Sequence, residues 1–132
     1  MRTILDTSVL LGPDPGPVKG DVAISAVSLA ELHFGVLVAR SDATRAERLR
    51  RLAVIERTFD ALPVDDIVAR EYGRLAAAVI AAGRKPRARM ADLLIAATAA
   101  AHDATLWTRN PGDLLGLDDL VQVHTPTASP SP

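Results

Sequence analysis

Four acidic residues, Asp6, Glu31, Asp92 and Asp113, have the types and placement to do chemistry together. Crowded carboxylates repel one another, and a hard divalent cation relieves that repulsion. The chain has no Cys and no obvious pair of His, so an all-oxygen set favours Mg²⁺ or Mn²⁺ over Zn²⁺. Such a cation lowers the pKa of a bound water and stabilises charge developing on a phosphoryl oxygen. Thr7, Ser8, Thr108 and Asn110 stand close to these acids in sequence and add neutral groups fit to orient water or phosphate. Arg84, Lys85, Arg87 and Arg89 precede Asp92 and suit a nucleic-acid backbone. The chemistry indicated is metal-dependent cutting of nucleic acid.

Each acid alone has a plainer explanation. Asp6 fits a helix N-cap, Glu31 the far half of a capping box with Ser28, Asp92 the positive end of a helix dipole, and Asp113 a turn cap. Spacing tips the balance. Glu31 is at helical spacing from Val27, Phe34, Gly35 and Val38, and Asp92 from Ile95, Ala96 and Ala99. Both acids are therefore expected on core-facing stripes, where an ionised carboxylate is costly unless paired or metal-bound. His33, His102 and His124 sit at positions that form no Ser-His-Asp arrangement.

The elements that must position these acids are short. Residues 2–6 read as a buried strand, 7–11 as a short helix capped by Asp6 or Thr7, and the Gly/Pro run 12–17 as a loop. A second strand at 22–25 leads to a helix from Ser28 to Arg40. A third helix spans 43–59, and Leu62-Pro63-Val64 is a candidate edge strand. Asp65 or Asp66 caps a helix running to Ala82, ended by Gly83. The basic loop 84–89 precedes a helix from Met90 to His102. A strand at 104–108, a turn at 109–112, a helical turn opened by Asp113 and a last strand at 121–123 follow. Helical crossovers between short apolar strands predict an α/β fold, with a short, mainly parallel central sheet flanked by helices. Ligand sites in such sheets lie beyond the carboxyl ends of the strands, where all four acids fall.

Composition bounds the rest. The 132 residues make one domain of ordinary size, and a hydrophobic fraction of 48% supports a real core. Only 3% are aromatic, which argues against a base-stacking platform. The net charge of -1 gives no overall pull toward nucleic acid, but arginines crowd 40–57 and 84–89. Asp6 interrupts the N-terminal apolar run, so no signal peptide is expected. The longest apolar run, Leu93 to Ala101, is about half the roughly 18 residues of a membrane span. The expectation is a cytoplasmic protein without a membrane contact.

Four segments carry a family resemblance: Ile4-Leu5-Asp6-Thr7-Ser8, Ser28-Leu29-Ala30-Glu31-Leu32-His33-Phe34-Gly35, Ala91-Asp92-Leu93-Leu94-Ile95-Ala96-Ala97, and Leu106-Trp107-Thr108-Arg109-Asn110-Pro111-Gly112-Asp113. In order and spacing the chain resembles the PIN-domain ribonucleases, specifically the VapC toxins of toxin–antitoxin pairs. The resemblance covers about residues 1–124, the expected PIN domain, and leaves 125–132 as a flexible Pro/Ser-rich tail. It implies a PIN fold, Mg²⁺- or Mn²⁺-dependent endoribonuclease activity on RNA, a homodimer, and inhibition by a cognate VapB antitoxin. It also implies metal ligation by Asp6 and Asp92, by Glu31 directly or through water, and by Asp113 directly, through water or as support. Leu114 stands where the family commonly has an aromatic residue.

The competing readings are a non-catalytic PIN-like module that binds RNA or protein, and a phospho-receiver domain. The receiver class needs adjacent acids after the first strand and a late-strand Lys, and neither is present. For a partner helix, Leu29, Leu32, Val36, Leu37, Leu49, Leu52 and Ile55 offer apolar surface between residues 27 and 59.

Overall fold

The structure is a computed structural model that describes residues 1–126; the rest of the expected tail, 127–132, lies outside the described residues. Five parallel strands form one sheet: β1 (Arg2–Leu5), β2 (Asp21–Ser25), β3 (Asp60–Leu62), β4 (Thr105–Trp107) and β5 (Gln122–His124). Five helices cover it: α1 (Thr7–Leu11), α2 (Ala26–Leu37), α3 (Asp42–Thr58), α4 (Asp66–Ala81) and α5 (Met90–Ala101). The strand order is β3-β2-β1-β4-β5. Every described pairing is parallel, beyond the mainly parallel sheet expected.

Side chains alternate across the pleat, and that alternation builds two cores. Ile4, Ala23 and Leu106 enter one core with Val68, Leu75 and Val79 of α4 and Leu93 and Ile95 of α5. Leu5 and Ile24, one residue on, enter the other with Val9 and Leu10 of α1, Leu32 and Val36 of α2, and Leu52 and Ile55 of α3. The register Ile4↔Ala23 and Leu5↔Ile24 keeps both sets in step.

β1 lies between β2 and β4, so the direction of winding reverses there. The carboxyl ends of β1 and β4 therefore border the crevice where ligands bind in open parallel sheets.

Local chemistry corrects several sequence expectations. Ser25, not Ser28, caps α2, accepting from the Val27 N–H at 3.0 Å. β2 thus turns into helix without a linker, and Ser28 is left buried inside it. The capping box of Ser28 with Glu31 does not form, and α2 stops at Leu37, short of Arg40. Its core face is Ser28, Leu32 and Val36, so Glu31 is on an exposed face. Phe34 and Val38, expected inward beside it, are 65% and 50% exposed. β3 ends at Leu62, ahead of Pro63, which has no N–H for the ladder. The basic loop contains a 3-10 turn, Pro86–Arg89, with proline at its start, where no N–H is needed. Asp113 lies inside a second 3-10 turn, Pro111–Leu114, and does not open it.

Other expectations match. Asp65 caps α4, accepting from Val68 N–H at 3.0 Å. Gly83 ends α4 with φ +79°, the left-handed conformation glycine takes without strain. The Arg84 N–H then reaches back to the Val79 carbonyl at 3.0 Å. Among the described residues no helix is long and apolar enough to cross a membrane.

Candidate metal centre

β1 delivers Asp6 to the crevice. Asp6 N–H still donates to the Trp107 carbonyl at 3.0 Å, extending the pairing of β1 and β4 by one bond. The Asp6 carboxylate caps α1, with Oδ1 accepting from Val9 N–H at 3.1 Å and from the Ser8 hydroxyl at 2.6 Å. Ser8 Oγ in turn accepts from the Arg109 N–H at 2.9 Å. The plain role and the functional role coexist: one oxygen caps, and no described residue donates to Oδ2.

Thr7 holds the next acid. Its hydroxyl donates to Glu31 Oε1 at 2.6 Å and lies 3.0 Å from the buried Ser28 Oγ. Thr7 has one hydrogen to give, so Ser28 is the donor in that second contact. Glu31 is thus tied across to the residue after Asp6 although it is exposed.

The remaining acids come from α5 and the turn after β4. Asp92 is in the first turn of α5 and Asp113 in the turn Pro111–Leu114. Thr108 is buried, and its Oγ1 accepts from Asn110 N–H at 3.0 Å, which shapes the approach to that turn. Asp6, Asp92, Thr108, Asn110 and Asp113 line one small cleft, closed below by Ile95 and Leu106. Its free space, about 10 Å³, suits roughly one water-sized body.

Electrostatics ties the four acids together. Partial burial raises the Asp92 carboxyl above its usual 3.8, and the like charges of Asp113, Glu31 and Asp6 push it further; Arg89 pulls the other way. Asp92 as a residue is exposed, which weakens the burial contribution. Burial and the three carboxylates push in the same direction, and solvent screens the repulsion without reversing it. Among the described residues no three His, Cys, Asp or Glu side chains already stand as a ready ligand set. Glu31 is held by Thr7, and Asp113 Oδ1 is 3.6 Å from Arg89 Nη1. What fits a cation is the donor chemistry: three carboxylates lining a cleft of ion size, Glu31 outside that lining but close enough to act on Asp92, and a repulsion that a positive charge would relieve.

The raised pKa has a stability consequence. A carboxyl whose folded pKa exceeds its unfolded one costs stability once pH passes the unfolded value, here 3.8. Without metal, Asp92→Asn is therefore expected to melt above the wild type at pH 7, with the gap closing as pH falls toward 3.8. Mn²⁺ should raise the wild-type midpoint more than the variant's. A metal-free variant melting below the wild type at pH 7 would contradict the repulsion.

The basic cluster divides. Arg84 Nη2 donates to the Gly112 carbonyl at 3.2 Å, and Arg89 Nη1 to the Asp113 carbonyl at 3.2 Å. Lys85 and Arg87 are exposed. Two contributors lay outside the sequence reading. Ser28 was legible only as the capping-box partner of Glu31, yet it stands behind Thr7, 3.0 Å from its hydroxyl. Arg109 was legible only as part of a turn, yet its backbone orients Ser8 and its Nη2 donates to the Pro13 carbonyl at 2.7 Å.

Comparison with known proteins follows the same lines. The PIN domain family matches residues 3–112. "Ribonuclease VapC5" of Mycobacterium tuberculosis (strain ATCC 25618 / H37Rv) is 37% identical over 127 residues, 92% of this chain and 91% of that protein. "Ribonuclease VapC8" of Mycobacterium tuberculosis (strain CDC 1551 / Oshkosh) is 40% identical over 100 residues, 73% of this chain and 88% of that protein. Among solved structures, VapBC-5 from Mycobacterium tuberculosis, a member of the VapBC family of toxin-antitoxin systems, superposes with a TM-score of 0.82 at 36% identity. That match covers 96% of this chain and 98% of that one. FitAcB from Neisseria gonorrhoeae gives 0.77 at 32% identity, covering 94% and 97%.

Proposed function

This chain belongs to the PIN-domain family, and from that membership we propose that it is the toxin of a VapBC-type toxin–antitoxin pair, an endoribonuclease that depends on Mg²⁺ or Mn²⁺. Relatives named ribonuclease VapC, matched over most of both chains, support RNA as substrate. The observation that carries the metal is Asp92, lining one cleft with Asp6 and Asp113, its carboxyl raised by burial and then by the charges of Asp113, Glu31 and Asp6.

When bound, the cation supplies an activated water and neutralises charge on the phosphoryl oxygens. Asp6 and Asp92 are its surest ligands; Glu31 and Asp113 act as ligands or through water. Ser8 and the Val9 N–H fix Asp6 Oδ1, which leaves Oδ2 without a donor among the described residues and open to a cation. Thr7, with Ser28 behind it, fixes Glu31. Thr108 and Asn110 shape the turn that presents Asp113 and add polar atoms for water or phosphate. Lys85 and Arg87, exposed before α5, are placed to take the RNA backbone. Attack by water in line leaves a 5′-phosphate and a 3′-hydroxyl. End analysis of RNA cut by the purified protein should find those ends; a 2′,3′-cyclic phosphate would overturn this mechanism. A purely binding PIN-like module is the weaker reading, because carboxylates crowded toward phosphates would oppose binding.

The partner is a VapB-type antitoxin, supported by VapBC relatives of known structure. Much of the apolar surface expected for it is core: Leu32, Val36, Leu52 and Ile55 are buried. What remains open is a cleft of about 390 Å³ lined by Leu11, Glu31, Gly35, Arg48 and Arg51, with Leu37 and Leu49 exposed on α2 and α3. A partner helix there would lie beside Glu31, within reach of the acids. The PIN domain at residues 1–124, a homodimer and a cytoplasmic setting complete the reading.

A further inference from the structure

We infer that Arg84 and Arg89 are positioning residues that clamp the turn Pro111–Leu114 against the start of α5, and that they do not grip RNA. The inference rests on the proposed metal site only for what Asp113 does; the clamp itself is geometric.

The two guanidinium groups reach consecutive carbonyls of one short turn. Arg84 Nη2 donates to Gly112 O and Arg89 Nη1 to Asp113 O, each at 3.2 Å. Arg89 Nη1 also lies 3.6 Å from Asp113 Oδ1. The other Arg–carboxylate pairs among the described residues join side chains three or four apart on one helix. Arg89–Asp113 is the pair that ties two elements together. The Arg89 side chain is 24% exposed, against 47–69% for the arginines of those helical pairs. A phosphate-gripping arginine presents its fork to solvent-facing oxygens, whereas Arg89 spends Nη1 on both the carbonyl and the carboxylate of Asp113.

The chain places both arginines for this task. Gly83 in its left-handed conformation stops α4 and turns Arg84 toward Gly112. Arg89 occupies the junction between the turn Pro86–Arg89 and α5, three residues before Asp92. One junction therefore carries Asp92 and holds the turn that carries Asp113. Buried Leu114 anchors one end of the turn in the core. The backbone bonds beside it run from Asp113 N–H to Asn110 O at 3.2 Å and from Leu117 N–H to Leu114 O at 3.1 Å, and the Gly112 and Asp113 carbonyls are taken by the two arginines. Pro111 has no N–H to add.

Metal affinity alone would not isolate the clamp. Removing a cation beside the acids favours a bound metal ion, while loosening Asp113 disfavours it. Hydrogen exchange of the Asp113 and Leu117 amides reads the turn directly. In metal-free protein, Arg89→Ala and Arg84→Ala should each speed that exchange by about ten-fold, since a hydrogen bond from a charged donor is lost. Lys85→Ala and Arg87→Ala should leave it unchanged. Binding of a single-stranded RNA oligonucleotide in EDTA, measured against salt, gives the second arm. Each lost phosphate contact lowers the slope of log K against log salt by about 0.7. Arg84→Ala and Arg89→Ala should keep the wild-type slope. Unchanged exchange in both variants, or a slope reduced by a full contact in either, would overturn the clamp. Should Arg89→Ala lose protection throughout the protein, Arg84→Ala removes only an exposed donor and carries the same test. Exchange needs no RNA cleavage, so the clamp and the ribonuclease reading stand or fall separately.

Discussion

Asp6→Asn and Asp92→Asn are each expected to cut RNA at least about 10²-fold more slowly than the wild type, with the fold intact. The fold survives because asparagine keeps what the structure uses of Asp6. Its Oδ1 can still accept from Val9 N–H and the Ser8 hydroxyl, so the cap on α1 remains. What is lost is negative charge where a cation must sit. Asp92 makes no side-chain cap bond on α5, so its amide removes repulsion and little else from the metal-free protein. Single-turnover cleavage of RNA, with thermal melts as the control for folding, checks both. Wild-type rates from both variants would remove these residues from the site.

Much of this was legible in the residues, and the failures have identifiable causes. The α/β layering came through because β1 and β2 are short apolar runs joined by helical periodicity, and Gly83 and Asp65 mark the ends of α4. Asp6 was legible as both cap and ligand because one carboxylate has two oxygens and uses them differently. Glu31 was misplaced: its helical spacing to Val27, Phe34 and Val38 suggested a buried stripe, but the core takes the neighbouring face with Leu32 and Val36. A helix with apolar residues nearly all round does not reveal which face is inward. The reason for its position is Thr7, a contact across 24 residues that local sequence does not encode. The same limit applies to Arg84 and Arg89, whose targets on the turn are 28 and 24 residues away. A run of basic residues reads as one surface; the fold sets two of them, Arg84 and Arg89, against carbonyls of the turn Pro111–Leu114.

Removing divalent metal is expected to abolish cleavage altogether, and Mg²⁺ or Mn²⁺ to restore it. Without a cation, the cleft holds carboxylates that repel one another and would repel a phosphate, and among the described residues no Lys lines it. Its lining holds no paired base and nucleophile, and a lone carboxylate acting as base on water would leave the charge developing on the phosphoryl oxygens unneutralised. The central claim is that these four acids work by sharing a cation. The most direct measurement is RNA cleavage by metal-stripped protein across a Mn²⁺ titration, with bound Mn²⁺ followed in the same samples. The account expects no cleavage at the start and a rate that rises in step with bound Mn²⁺. Cleavage at the full rate by the stripped protein, or Mn²⁺ binding that leaves the rate unchanged, would contradict it.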